Sequence, residues 1–431
     1  MTSKNGKSAL TVKLGSVKKF YFLDYFYVLL KSVEKYTDEQ EIFDSFKILK
    51  QKHRLGESKY KKLTSEDEDL SREQLQRYRY TFGQVVDEAK EYQLIDEKPE
   101  NSFKLTIEGI KLLSEYEKKG VVFFNRSLFR LMEEKYNAFR YFVDLLYSAN
   151  TYKQGILILP IYSPRQLGFE RSKVQTTADI ITYSETLFHR IELDIERFFG
   201  QKQDLKKKHA ELIDRLTRSP DLLPSSPSAE FDPKKYNAIT KRFRDFWLTY
   251  FLSEIYKYEY SRASFEIWIY RAKQIGIIHA TEFYPNFNGQ LVYPTSVIAE
   301  ATESQDFQEL YAYPNGQRLY IHEPLIEENQ NKFVDYLVKA YFDLRRTNRS
   351  YFINLLSLRE LVCYNMRIAE FLFDRFLERT YKLNLAGKLQ VRISLEVDKL
   401  PEETKATYVK REPVVVDGKY RNIIAIDVTK G

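Results

Sequence analysis

The sequence predicts a mainly α-helical protein of the α+β class, in which long helices alternate with short β-hairpins. Apolar residues recur at three- and four-residue steps through most of the chain, which is the spacing of a buried helix face. Glycine and proline are scarce, with 15 and 13 in 431 residues, so few long irregular segments are expected. Short apolar segments beside turn signals such as Asn288–Gly289 predict the hairpins.

One stretch combines a capped helix, a polar turn and a second capped helix. Ser71 and Gln74 form a capping-box pattern, and the helix that they begin is predicted to end near Tyr92. The polar turn 96–101 follows and separates two short strands. Thr106 then has the position of a second helix cap. The stretch is therefore predicted to fold as helix, hairpin and helix.

The letters of this stretch carry a family resemblance. AKEYQLI followed by FKLTIEGIKLL resembles the pattern of winged-helix DNA-binding domains, and the resemblance covers residues 71–120 of 431. It implies a recognition helix that enters the major groove and a hairpin wing that lies along the backbone or the minor groove. Winged helices also serve as protein-interaction modules, so the resemblance leaves both DNA and protein partners open.

The rest of the chain is predicted to form further domains of similar construction. A helix ending in AKQIGII precedes a second hairpin, and residues 219–233 hold four prolines and four serines, a composition typical of a linker. The predicted domains are a flexible tail (1–16), an N-terminal winged-helix domain (17–122), a helical middle domain (123–218), a linker (219–233), a second winged-helix-like domain (234–312) and a C-terminal domain of helices and a hairpin (313–431), for which a third winged helix is one interpretation.

Three finer predictions concern single elements. Apolar spacing predicts one helix over Val17–Tyr36 and one long helix over Phe123–Tyr147. Near the C-terminus, Val409–Val416 and Asn422–Val428 are predicted to be strands joined by a turn at Asp417–Gly418.

The charge balance permits, but does not require, binding to a polyanion. The chain has 68 basic and 61 acidic residues, giving a formal charge of +7. Basic side chains near the predicted hairpins are the candidates for phosphate contacts. The predicted DNA-binding residues are Arg72, Arg77, Arg79, Lys90, Lys98, Lys104, Arg165, Lys241, Arg242, Arg244, Arg262, Arg271 and Lys273.

Motifs of common enzyme classes are missing from the sequence. It contains no HExxH zinc motif, no GxxxxGK[ST] phosphate loop and no GxGxxG, so we expect no cofactor, no metal and no catalytic residue. The single cysteine, Cys363, lies among apolar residues and is expected to be an inert core residue. One enzymatic alternative is a metal-dependent nuclease, whose carboxylates come from neighbouring strands. Its candidate residues are Glu396, Asp398 and Lys399, together with Asp417 or Asp427.

Targeting signals are also missing from the sequence. The first residues, MTSKNGK, have no apolar segment of the signal-peptide type. No apolar run reaches the roughly 18 residues of a membrane span. These features predict a cytoplasmic protein without a membrane partner.

Two functional hypotheses follow. The preferred one is a non-catalytic protein that binds double-stranded DNA, as the recognition or accessory subunit of a bacterial multi-protein DNA-processing or phage-defence system. A larger ATPase or nuclease subunit would be its partner, and a homodimer is left open. The alternative rests on architecture alone: the chain resembles kleisin-type scaffold subunits, whose winged helices bind an ATPase partner.

Overall fold

The computed structural model describes most of the chain. The described residues are 17–52, 71–147, 157–159, 171–281, 290–294, 297–298, 308–312, 318–321, 326–366, 368–398 and 414–428. This part is mainly helical with small antiparallel sheets, which confirms the predicted fold class. The chain divides into two compact units: the first contains the described residues up to 144, and the second contains those from 145 onward.

The first unit is a set of helices with one hairpin. Its helices are α1 (Asp24–Lys35), α2 (Glu39–Lys52), α3 (Arg72–Glu91), α4 (Ile107–Lys119), α5 (Val121–Lys135) and α6 (Asn137–Tyr147), the last of which continues beyond residue 144. The hairpin consists of β1 (Ile95–Lys98) and β2 (Ser102–Leu105), joined by the 3-10 turn Pro99–Asn101. A single β-bridge from Asp38 to Ser102 adds a third partner beside β2.

Aromatic packing fixes α3 against α2. The ring of Phe82 meets those of Phe43 and Phe46 edge-on, at centroid distances of 5.3 and 5.4 Å. All three side chains are buried, and edge-to-face pairs of this kind contribute about 0.5–1.5 kcal/mol beyond the area that they bury. The buried face of α3 is therefore defined by Phe82, and the opposite face is left to the solvent.

Two helices of this unit differ from their predicted bounds. The helix predicted over Val17–Tyr36 begins only at Asp24, because the residues before it form bends and turns, such as the one closed by the hydrogen bond of 2.9 Å from the Phe20 amide to the Lys18 carbonyl. The helix predicted over Phe123–Tyr147 is two helices, which meet at Tyr136. Tyr136 has extended backbone angles, and its buried ring directs the hydroxyl to Glu91, to which it donates a hydrogen bond of 2.6 Å.

A glycine places α4 against the end of α3. Thr106 caps α4 by accepting a hydrogen bond from the Gly109 amide, and its own hydroxyl donates to the carbonyl of Gln93 at 2.6 Å. A Cβ atom at Gly109 would lie 2.1 Å from the backbone oxygen of Leu94. Only a glycine permits this approach, which explains the glycine that follows the Leu-Thr pair in the sequence.

We expect Gly109→Ala to lower the free energy of unfolding by about 1–3 kcal/mol, because the added methyl group forces two backbone segments apart. The matched control is Gly83→Ala in α3, where nothing lies within 4 Å of the added atom. This control should be neutral or stabilising by about 0.5–1 kcal/mol, since alanine favours a helix interior. Urea denaturation measures both, and equal effects would refute the steric explanation.

The second unit contains the remaining helices and sheets. Its helices are α7 (Thr177–Phe199), α8 (Lys206–Thr217), α9 (Tyr236–Tyr250), α10 (Arg262–Ile275), α11 (Ile326–Asn348), α12 (Leu355–Met366) and α13 (Glu370–Leu385). Its strands are β3 (Leu157–Leu159), β4 (Ile278–Thr281), β5 (Gln290–Pro294), β6 (Val297–Ile298), β7 (Gln308–Ala312), β8 (Arg318–Ile321), β9 (Ile353–Asn354), β10 (Val391–Glu396), β11 (Val414–Val416), β12 (Lys419–Arg421) and β13 (Ile423–Val428). A π-helical turn, Phe251–Ile255, follows α9.

The C-terminal sheet repeats the topology of the first unit. The order of the strands in this sheet is β10-β13-β9. The last strand in the chain, β13, lies between β10 and the short strand β9, which precedes the helices α12 and α13. In the first unit, β2 likewise lies between β1 and Asp38. Among the described residues, both places contain a helix, a short β-segment, two helices and a pair of antiparallel strands. In the second place the small hairpin of β11 and β12 is inserted between the paired strands β10 and β13. The helix that precedes the hairpin is α3 in one case and α13 in the other.

The predicted C-terminal hairpin has a different pairing. Asp417–Gly418, both with positive φ, turn the chain from β11 into β12, and Val416 pairs with Lys419. The strand β13 pairs with β10 rather than with β11. The prediction that Val409–Val416 and Asn422–Val428 pair with each other was therefore wrong, because three residues after the turn already complete the small hairpin.

The segment 219–233, predicted to be a linker, is attached to the start of α7. Thr177 donates a backbone hydrogen bond of 3.0 Å to the carbonyl of Ala229, and Phe231 donates one of 2.8 Å to Gln175. The side chain of Phe231 is also buried. Proline and serine prevent a helix here, but apolar side chains between them are still buried.

Candidate nucleic-acid interface

The first half of α3 is the most exposed helical surface of the first unit. Ser71 caps the helix and forms a complete capping box with Gln74. Each of residues 71–77 is exposed, and the first buried residue is Tyr78. The helix therefore presents its N-terminal end, with the partial positive charge of its dipole, to the solvent.

The side chains on this exposed end are mostly polar, with two arginines against one acidic residue. Arg72, Gln76, Arg77 and Tyr80 are exposed, and they lie away from the buried face of Phe82. Arginine and glutamine are residue types that bind base edges in the major groove of DNA, where they form paired hydrogen bonds with guanine and adenine. The end of α3 can therefore offer both phosphate and base contacts.

Most of the predicted basic residues near α3 already have acidic neighbours. The ion pairs are Arg77 to Glu73 at 2.6 Å, Arg79 to Glu39 at 3.9 Å, Lys90 to Glu97 at 2.9 Å and Lys104 to Asp96 at 3.7 Å. Arg72 and Lys98 have no ion pair within the described residues. Exposed pairs are worth about 0–1 kcal/mol, so a phosphate can replace the carboxylate partner.

The hairpin is slightly acidic, which the sequence analysis did not weigh. It carries Asp96, Glu97 and Glu100 against Lys98 and Lys104, which leaves one excess negative charge. Arg79, in addition, lies 3.8 Å above the ring of Phe43 and is partly a packing residue. The exposed end of α3 is therefore better suited to a polyanion than the hairpin is.

A second basic surface is a groove between α8 and α9. It has a volume of about 700 Å³. Three of the predicted residues, Lys241, Arg242 and Arg262, line it, and the structure adds Lys208 and Arg215 from α8. Arg244 is exposed on α9 but does not line this groove. Lys241 and Arg242 of α9 therefore share this groove with basic residues of α8, a helix that lies earlier in the chain.

Two predicted residues cannot reach a phosphate. Arg271 is fully buried beside Trp268, with its guanidinium 5.2 Å from the ring centroid. Lys273 is mostly buried and pairs with Glu370 at 2.9 Å. Their assignment as DNA-binding residues is therefore corrected: both belong to the interior of the second unit. Arg165 lies outside the described residues.

Lys273 belongs to a buried ion network that sequence reasoning missed. His279 of β4 donates a hydrogen bond of 3.0 Å from Nε2 to the Glu360 carboxylate of α12, and its Nδ1 lies 3.8 Å from Glu370 at the start of α13. Arg359 lies 3.5 Å from Glu370 and 3.3 Å from Asp374. His279, Arg359 and Glu360 are essentially inaccessible to solvent.

The charges in this network favour a set of ion pairs over a metal centre. His279, Glu360 and Glu370 offer ligand atoms within 4.8 Å of one another, which is close enough for a divalent ion. Glu370, however, already faces the cations of Lys273 and Arg359. A divalent ion there would have to overcome the repulsion of two fixed positive charges.

The network was hard to find in the sequence because its members are far apart in the chain. His279 and Glu360 are separated by 81 residues. One signal was present: Arg359–Glu360 is a charged pair inside the apolar run LLSLRELVC. Charges inside a buried helix need partners, so such a pair indicates a buried network.

The neighbouring Cys363 agrees with its prediction. Its side chain is completely buried in the core of the second unit, and this burial raises the pKa of the thiol well above its usual value. A thiol that remains protonated is a poor nucleophile. Its expected role as an inert core residue is therefore consistent with its surroundings.

Two of the proposed nuclease residues, Glu396 and Asp427, are far apart on their strands. Asp427 pairs with Arg392 across the ladder of β10 and β13, whereas Glu396 lies four residues farther along β10, about 13 Å away at strand spacing. The Asp427 carboxylate accepts a hydrogen bond of 2.5 Å from Tyr351. Lys399 lies outside the described residues.

Comparisons with known proteins identify no relative: no family model, no curated protein and no solved structure matches the chain. In the described part of the chain, no helix has the length and apolar character required to cross a membrane.

We expect Arg359→Met to destabilise the second unit by about 3–5 kcal/mol, because it removes a fully buried cation that faces Glu370 and Asp374 and leaves Glu370 with Lys273 as its cationic partner. The matched control is Arg379→Met, which removes an exposed pair with Glu327 and should cost less than about 1 kcal/mol. Urea denaturation measures both variants.

Removal of metal ions distinguishes a network held by ion pairs alone from a metal centre. Dialysis of the wild-type protein against a chelator should leave its Tm unchanged if ion pairs alone hold the network. A fall in Tm that zinc or manganese reverses would contradict this interpretation.

Proposed function

We propose that the chain is a non-catalytic DNA-binding protein that holds duplex DNA with its first unit, in the manner of a winged helix. The observation that carries the proposal is the exposed N-terminal half of α3, on which Arg72, Gln76 and Arg77 are open to solvent. The helix–helix–helix–hairpin order around α3 also supports it.

In this proposal, phosphates bind first and bases second. Arg72, which has no ion pair within the described part of the chain, would contact the backbone together with the dipole of the capped helix end. Arg77 would exchange Glu73 for a phosphate or a guanine. The major groove is about 12 Å wide and admits one α-helix, which fits the isolated exposure of this helix end.

The C-terminal repeat of this topology is assigned a structural role. The helix that corresponds to α3 is α13, and its first residue, Glu370, is held inside the second unit by Lys273 and Arg359. The next residue, Phe371, packs so closely on Gly276 that a Cβ atom there would lie 2.6 Å from its ring. A helix end covered in this way cannot enter a DNA groove.

A second candidate is the scaffold subunit of an ATPase or nuclease complex. The observation in its favour is an apolar surface at the start of α4, where Ile107 is 84% and Ile110 56% exposed. Exposed isoleucines close together on one helix face suit a protein partner better than DNA. This candidate gains support if the purified chain fails to bind duplex DNA at low salt.

Reversing the charge of the α3 end tests the proposal. The double variant Arg72→Glu, Arg77→Glu should bind a labelled random duplex at least about tenfold more weakly than the wild type, because two favourable phosphate contacts become repulsive. Fluorescence anisotropy at about 50 mM salt measures this affinity.

The matched control is Lys332→Glu, Lys339→Glu, which changes the net charge equally at two exposed positions of α11. Its duplex affinity should remain within about twofold of the wild type if α3 is the contact surface. Equal losses in both double variants would indicate a general charge effect and refute the assignment to α3.

A further inference from the structure

The groove between α8 and α9 is lined by five cationic side chains and three carboxylates (Glu211, Asp245 and Glu254), so its lining has excess positive charge. Lys208 pairs with Glu211 at 3.5 Å, and Arg262 pairs with Asp245 at 2.9 Å. Three other cations line the groove, and within the described residues they form no ion pair. These are Arg215, Lys241 and Arg242.

An aromatic side chain lies among these cations. Phe246, one helical turn after Arg242, lines the groove and is only half-buried. The guanidinium of Arg215 lies 5.6 Å from the centroid of its ring. The edge of the ring meets Trp247 at a centroid distance of 5.5 Å, which holds the ring in place. A positive recess therefore has a fixed aromatic wall.

Recesses with these two features suit single-stranded nucleic acid. Phosphates of a flexible strand follow the cations, while unpaired bases stack on aromatic side chains. In a duplex the bases are already stacked inside the helix, so they cannot reach a wall at the bottom of a recess. The groove volume of about 700 Å³ lies within the range of small-ligand pockets and admits bases rather than a whole duplex.

We propose that this groove binds a single strand of DNA, with its phosphates on Arg215, Lys241 and Arg242 and a base against Phe246. The proposal rests on the DNA-binding function proposed above and adds a second kind of substrate to it. Such a pair of sites suits a protein that acts where duplex and single strand meet, because the first unit would hold the duplex and the second unit would hold the single strand.

A fluorescein-labelled oligothymidylate of eight nucleotides is the probe for this site. Arg215→Glu and Arg242→Glu should each weaken its binding at least about tenfold, and Phe246→Leu, which keeps an apolar contact in the wall, should weaken it about three- to tenfold. Lys207→Glu is the matched control, because Lys207 is exposed on α8 but does not line the groove. Unchanged binding in the groove variants would overturn the proposal.

Inorganic tripolyphosphate separates a strand site from a simple anion site. It should compete only weakly with the oligonucleotide, and the Phe246→Leu variant should bind it as the wild type does. Competition as strong as that of unlabelled oligothymidylate, together with no effect of Phe246→Leu on the oligonucleotide, would overturn the single-strand assignment.

The two proposals fail separately. The Arg72→Glu, Arg77→Glu variant should retain oligothymidylate binding, and the groove variants should retain binding to blunt duplex DNA. If the wild type binds the oligonucleotide but no duplex, the duplex proposal fails and the groove proposal stands. If it binds duplex DNA but no oligonucleotide, only the groove proposal is overturned.

Discussion

The buried network of His279, Glu360, Glu370, Arg359 and Lys273 is the constraint on which the second unit depends. It joins the end of α10 and strand β4 to α12 and α13 through charges that have little access to water. Because an unpaired buried charge costs several kcal/mol, these elements either pack together or expose the network to solvent. The network therefore holds the segment of α10 and β4 against the segment of α12 and α13. It also fixes the start of α13 inside the second unit.

This constraint gives the two repeats of one topology different surroundings. Both α3 and α13 precede a pair of antiparallel strands whose later strand also pairs with a short β-segment from earlier in the chain. Arg72 begins α3 in solvent, whereas Glu370 begins α13 among buried cations. The corresponding helix end is thus exposed in one place and covered by its own chain in the other.

Local features of the fold could be predicted from the sequence, whereas long-range ones could not. The Ser71 capping box and the Thr106 cap depend on residues within a few positions of one another, and each lies where it was predicted. The predicted hairpin is also present, but its turn is Pro99–Asn101 rather than 96–101, because Asp96–Lys98 already pair with β2. The break at Tyr136 depends on a hydrogen bond to Glu91, 45 residues earlier, which no periodic pattern reveals. Likewise, basic residues indicated a polyanion site, but burial removed Arg271 and Lys273, and only the fold placed Arg215 beside Lys241 and Arg242.

The salt dependence of duplex binding by the wild-type protein tests the central claim most directly. Binding through α3 releases counterions from each phosphate that it contacts, so two or three contacts predict a 10- to 40-fold loss of affinity, roughly, between about 50 and 200 mM salt. That loss, with intact DNA in the presence of magnesium, is the result that the account predicts. An affinity that stays flat over this range, or no binding at the lower concentration, would contradict it and direct attention to Ile107 and Ile110 on α4.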